Sequence, residues 1–262
     1  MTFGPPEASG RVIAARDIDP VTVPGHAFRI LTDGSGTGGA FSLTEAESPK
    51  GAMVGCHAHD ETVECFYVLD GRYRLTVSGD THELCAGGFL LVPRGAPHRF
   101  EVTEGPARAL VLFAPAGFEE VFRRMPEIFG TPGEPGPLWE HVNSQARTRL
   151  LGSTGPGPAA LVRAGTRAGS GPPGAPLTLA DSTATRTSLR ILLRDGDSAG
   201  ATWTPGPSAT AVYVLAGRYR FDLPEAGPTV GEGEYLALTP TPDARAVALT
   251  DGGRTLVLEL GT

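Results

Sequence analysis

The chain has 262 residues, 40% hydrophobic and 19% charged, so it can bury a core and is not disordered overall. With 36 glycines and 24 prolines it reads as many short strands joined by turns, in about two domains of an all-β class. A net charge of −7 with no basic stripe argues against a polyanion-binding role, and neither a signal peptide nor an apolar run of membrane-spanning length is visible.

In chain order, strands are expected at Phe41–Glu45, Glu64–Leu69, Tyr73–Val77, Phe89–Val92, His98–Val102 and Ala109–Phe113. Turn signals such as Asp70-Gly71 and Arg94-Gly95-Ala96-Pro97 separate them. A helix is expected over Gly117–Met125, where Phe118, Val121 and Phe122 fall at helical spacing and Pro126 stops it. A second is expected over Leu138–Leu151, with Leu138, Val142 and Leu150 on one side. Gly152–Pro176, rich in Gly, Pro and Ser, reads as a linker with a boundary near residue 158.

An internal repeat organises these elements. Tyr67-Val68-Leu69-Asp70-Gly71-Arg72-Tyr73-Arg74-Leu75 recurs as Tyr213-Val214-Leu215-Ala216-Gly217-Arg218-Tyr219-Arg220-Phe221, an offset of 146. The same offset pairs Ser42-Leu43 with Ser188-Leu189 and Leu110-Val111-Leu112 with Leu256-Val257-Leu258, which predicts a gapless duplication. The domains are then residues 1–157 and 158–262. The three cysteines (Cys56, Cys65, Cys85) are few and odd in number, which suits a reducing cytoplasm, and each reads as a buried small hydrophobe.

The chemistry lies in the first copy. His57 and His59 are two apart, so on a strand they project from one face. Glu64 follows past a tight turn, and His98 lies on a later hairpin. Three imidazoles and a carboxylate suit one divalent transition metal (Fe, Ni, Mn, Co or Zn), with coordination positions left open.

The spacings His57-x-His59-x4-Glu64-x6-Gly71 and Gly87-x5-Pro93-x-Gly95-x2-His98 resemble the two motifs of the cupin superfamily, with Val102 in place of the terminal Asn. The resemblance implies jelly-roll β-barrel domains, here a tandem pair (a bicupin) with a short helical segment between them. Thr37-Gly38-Gly39-Ala40-Phe41-Ser42-Leu43 and Phe113-Ala114-Pro115-Ala116-Gly117-Phe118 are similar to bacterial quercetin 2,3-dioxygenase-like cupins, over about residues 10–155. That narrower likeness implies a metal-dependent dioxygenase in which Glu64 is both ligand and base, with a small-molecule substrate and O2 as partners.

At the offset of 146, His57, His59, Glu64 and His98 correspond to Trp203, Pro205, Thr210 and Ala244, so the second copy is expected to lack the metal and to serve structure or a homodimer. Strand parity from the ligands turns Met53, Phe66 and Phe100 inward, an apolar aromatic pocket without Arg or Lys. Such a pocket suits a flavonol-like, aromatic or polyketide-like molecule. Two other classes remain open at this point: a non-oxidative metal-dependent cyclase or isomerase, and a small-molecule-binding cupin without turnover.

Overall fold

A computed structural model describes residues 10–23, 25–130, 136–163, 175–205, 209–224, 227–238 and 244–260. These form two compact units. Residues 19–34 and 41–163 make up the first, and residues 10–18, 35–40 and 175–260 the second. The two units are therefore not the contiguous stretches 1–157 and 158–262. The N-terminal strand Val12–Ala14 pairs antiparallel with Glu234–Leu236 and so completes an edge of the later copy.

In the first unit one sheet runs in the order Leu161–Arg163, Phe89–Val92, Val63–Val77, His98–Ala114, Ser42–Ser48, His26–Thr32, Val21–Val23. Met53–His59 joins it by pairing with both His98–Ala114 and Thr148–Leu150, and Asp80–Cys85 pairs with Val63–Val77. Apolar side chains at alternate positions face inward, and Val68, Leu75, Val102, Ala109 and Phe113 are all buried in one core.

Two pairs of expected strands are single long ones. Glu64–Leu69 and Tyr73–Val77 fuse into Val63–Val77, and His98–Val102 and Ala109–Phe113 fuse into His98–Ala114. Asp70-Gly71 is a bulge inside a strand: the register slips on either side of Asp70, and Gly71 takes φ +74°. A Cβ there would lie 2.6 Å from both Ala107 Cβ and Glu104 O, so only glycine fits.

Helix α1 spans Glu119–Gly130 and passes through Pro126 instead of ending there. Proline forfeits one backbone hydrogen bond, but the buried stripe Phe118, Val121, Phe122 and Ile128 continues across it and keeps the helix docked. Helix α2 covers only Gly136–Gln145. The rest of the expected second helix is the strand Thr148–Leu150, whose backbone pairs with His57–His59. Within the expected linker, Leu161–Arg163 is an edge strand on Phe89–Leu91, while residues 164–174 lie outside the described ones.

The second unit has a six-stranded sheet, ordered Val12–Ala14, Glu234–Ala237, Ala209–Ala216, Gly253–Leu260, Leu189–Asp197, Leu177–Ala180. A four-stranded sheet, Thr202–Trp203, Arg245–Ala248, Arg218–Asp222, Thr229–Gly231, contributes to the same core. The offset of 146 holds for most paired strands, since Tyr67↔Leu110 becomes Tyr213↔Leu256. It fails at two. Leu43 faces Leu112, but Ile191 faces Leu258, a slip of two residues. Trp203 faces Ala246 as Val54 faces Phe100, a slip of three. Trp203 therefore stands in Val54's place and not in His57's, and by that register the counterparts of His57 and His59 fall among residues 206–208, outside the described ones. Thr210 lies at a register shift between Ala209 and Ala211, and Ala244 is buried next to the strand Arg245–Ala248.

Of the cysteines, only Cys65 is buried; Cys56 is half-buried and Cys85 exposed. Asp80–Cys85 is an edge strand whose alternate residues face outward, and that parity puts Cys85 at the surface. Among the described residues no helix is long and apolar enough to cross a membrane.

Candidate metal centre

His57 and His98 are directly opposed across two paired strands, and His59 stands two residues beyond His57. Glu64 comes in from the start of Val63–Val77, which lies on the other side of His98–Ala114. All four side chains are buried, and one donor atom from each lies within 4.8 Å of the others. The imidazole centroids are 4.1 Å apart for His57 and His98, 4.9 Å for His57 and His59, and 5.2 Å for His59 and His98. Phe118, just ahead of α1, closes the back with its ring edge-on to His59 at 4.6 Å.

Hydrogen bonds set the tautomers. His57 Nδ1 donates to Gly55 O at 2.9 Å and His98 Nδ1 to Ala96 O at 2.9 Å, because a carbonyl can only accept. His59 Nδ1 meets Thr148 Oγ1 at 2.8 Å, and that hydroxyl donates to Ala146 O, so it accepts from the imidazole. All three Nε2 lone pairs are thereby left for the centre. His59 Nε2 and His98 Nε2 lie 3.3 and 2.8 Å from the same Glu64 Oε2. Lone pairs facing a carboxylate oxygen at these distances call for a cation between them. The donor set fits a divalent metal.

The electrostatics agree. Burial lowers His57 to about 3, helped by the two neighbouring histidines, so it is a neutral ligand at physiological pH. Burial raises the Glu64 carboxyl, and positive charge at the Nε2 face of His59 and His98, from ring protons or from a cation in their place, is what holds it ionised. The carboxylate is the form a metal needs.

Beside the centre is a cavity of about 560 Å³ with His57 and Glu64 in its wall. Met53, Phe66 and Phe100, the three residues expected to point into a pocket, all line it. Val68 and Val102 are buried in the same core without lining it. Met53, Phe129 and Leu150 are exposed as well as lining, so they mark its mouth. No arginine or lysine is among the described lining residues.

Much of the wall comes from residues that the sequence does not single out. Phe122, Met125 and Phe129 come from α1, and Trp139 and Asn143 from α2. Their helical spacing marks an apolar face but does not show what that face covers. His26 stands apart from the metal histidines in the sequence. It is no ligand, yet it lines the cavity, with Nδ1 2.8 Å from Ser48 Oγ. Thr148 falls within the expected second helix; only its strand pairing with His59 reveals its place.

Residues 44–113 match the cupin domain family Cupin_2, the stretch that carries all four of these side chains. Residues 44–113 are therefore a cupin domain. This cupin is 32% identical over 73 residues to quercetin 2,3-dioxygenase of Bacillus subtilis, covering 28% of this chain and 22% of that protein. It is 30% identical over 109 residues to quercetin 2,3-dioxygenase of Aspergillus japonicus, covering 39% and 31%. The matched stretches thus span less than a third of those relatives. Among solved structures, oxalate decarboxylase of Bacillus subtilis, a protein with Mn(II) centres, superposes with TM-score 0.66 at 17% identity over 97% of this chain and 78% of that one. A point mutant of the same decarboxylase gives 0.67 with the same coverage. At that identity the likeness is one of fold: two tandem cupin jelly rolls.

Proposed function

We propose that this cupin is a metal-dependent dioxygenase of the quercetinase type, acting on a flavonol-like, aromatic or polyketide-like small molecule. His57, His59, Glu64 and His98 hold one divalent transition metal per chain, and Met53, Phe66 and Phe100 belong to the substrate pocket. The observation that carries the reading is the cavity, which is walled mostly by aromatic and aliphatic side chains, has no arginine or lysine among its described lining residues, and is bordered by His57 and Glu64. A planar aromatic ligand gains from such walls, whereas a small dicarboxylate would leave charge unpaired there. The two quercetin dioxygenase relatives support the same choice.

A metal held by these four side chains would supply Lewis acidity toward a chelating substrate. The chain's own residues do the rest. Phe66, Phe100, Phe122 and Trp139 orient a ring system and keep water from its chelating edge. Glu64 takes the substrate hydroxyl proton. The second copy, with no histidine after residue 158, serves folding or assembly.

The test is O2 uptake per bound metal with 3-hydroxyflavone, for wild type and Glu64→Gln. Glutamine keeps one coordinating oxygen but cannot act as a base, so turnover per metal should fall by about 10²–10⁴-fold. Full turnover under argon would instead identify a cyclase or isomerase, and binding without turnover a binding cupin.

A further inference from the structure

Away from the metal ligands the largely apolar cavity is lined by Asn143, whose amide donates to Trp139 O, and by a group of three polar side chains, His26, Ser48 and Tyr73. Tyr73 is 2% exposed, and its hydroxyl has no hydrogen-bond partner. It lies beside Ser48 without completing a bond to it. Ser48 Oγ is within 2.8 Å of His26 Nδ1. The His26 ring also has the Met53 backbone as a hydrogen-bonding neighbour. A carbonyl there accepts the ring proton, so Nδ1 accepts from Ser48 and the serine oxygen keeps its lone pairs. The trio therefore offers one donor, Tyr73 O–H, and one acceptor, Ser48 Oγ, side by side.

The strand register gives their distance from the metal. Val77 pairs with His98, Leu75 with Phe100 and Tyr73 with Val102. Tyr73 is thus on the same face as His98 but four residues along, about 13 Å of strand at the usual rise. Phe100 stands between, edge-on to both Tyr73 and His26 at 5.8 and 6.1 Å.

The second copy is an internal control. Tyr219 faces Ala248 as Tyr73 faces Val102, and Asp197 faces Gly253 where Ser48 faces Ala107. There Tyr219 Oη donates to Asp197 Oδ2 at 2.9 Å, and Arg194 holds the other carboxylate oxygen at 3.0 Å. Gly253 makes the room, since a Cβ at that position would overlap the tyrosine hydroxyl. The fold can satisfy this tyrosine from within, and in the first copy it does not. A buried hydroxyl left open is costly, so its retention beside a cavity points to a partner from outside the chain.

We propose that Tyr73 and Ser48, with His26 behind them, form a second recognition subsite, which hydrogen-bonds a hydroxyl on an aromatic ligand at the end remote from its metal-chelating edge. This rests on the reading of the cavity as an aromatic-ligand site. It defines the substrate class more narrowly: a multi-ring molecule with a chelating edge and a distal phenol.

The test is calorimetric binding to the metal-loaded full chain under argon, with 3-hydroxyflavone and its 7-hydroxy and 4′-hydroxy derivatives. Wild type should bind at least one hydroxylated derivative about 3–10-fold more tightly than the parent, the worth of one hydrogen bond. Tyr73→Phe and Ser48→Ala should each abolish that preference while holding parent affinity within about twofold. Tyr73→Phe should also keep or raise the melting temperature, because it deletes an unsatisfied hydroxyl. Equal affinities in wild type, or a preference retained in Tyr73→Phe, would overturn the subsite and leave the aromatic-ligand reading standing. Failure of every flavone to bind would remove that reading, and the subsite with it.

Discussion

Thr148 shows what a single side chain contributes to this centre. Its hydroxyl accepts from His59 Nδ1 and donates to Ala146 O, which fixes both the tautomer and the tilt of the ring. Thr148→Val keeps the shape and removes the acceptor. Metal affinity should then fall about 10–100-fold, as is usual when a ligand histidine loses its outer partner, with little change in fold. Competition against a chromophoric chelator would measure it, and an unchanged affinity would show that strand pairing alone orients His59. The four side chains at the centre were legible because histidine and glutamate at those spacings are rare by chance. Thr148, His26 and Tyr73 were not, because their place at the site depends on strand pairings between residues distant in sequence.

At the scale of elements, type was easier to read than extent. Alternation located the strands, but Asp70-Gly71 carries the same signal for a turn as for a bulge, and only the partner strand decides between them. Gly71→Ala tests that account. The substitution places a side chain at φ +74° and 2.6 Å from the backbone of the facing strand. A loss of at least about 1–3 kcal/mol is expected in the denaturant midpoint, from backbone strain alone. A neutral result would mean that the strand can flatten there. Pro126 misled in the opposite direction, since the local cost of proline is outweighed when apolar residues continue the docked face beyond it. Phe122 anchors that face, stacked on Phe28 at 4.2 Å. Phe122→Ala should cost about 3–5 kcal/mol in thermal or chemical unfolding and enlarge the cavity.

Over the whole chain, the repeat revealed the duplication but not how the ends are shared. Residues 10–18 belong with the later copy, held by Val12–Ala14 on Glu234–Leu236 and by Arg16, whose guanidinium donates to Glu234 Oε1 at 2.6 Å. A three-residue strand has too little pattern to announce its partner in the sequence. Burial works against the Glu234 carboxylate, yet the Gly231 amide and Arg16 together hold it below its ordinary range. A carboxyl depressed in the folded state stabilises above its unfolded value, and that contribution is lost as pH falls through the folded one. Comparing wild type with Glu234→Gln therefore gives a signed expectation. The variant should melt at lower temperature near pH 7, and the gap should narrow once the pH drops below the normal carboxylate range and close when Glu234 is protonated. Added salt should shrink the Arg16 share, since that side chain is mostly exposed, while the share from the Gly231 amide persists. A gap that stayed constant with pH would mean that the glutamate acts by packing alone.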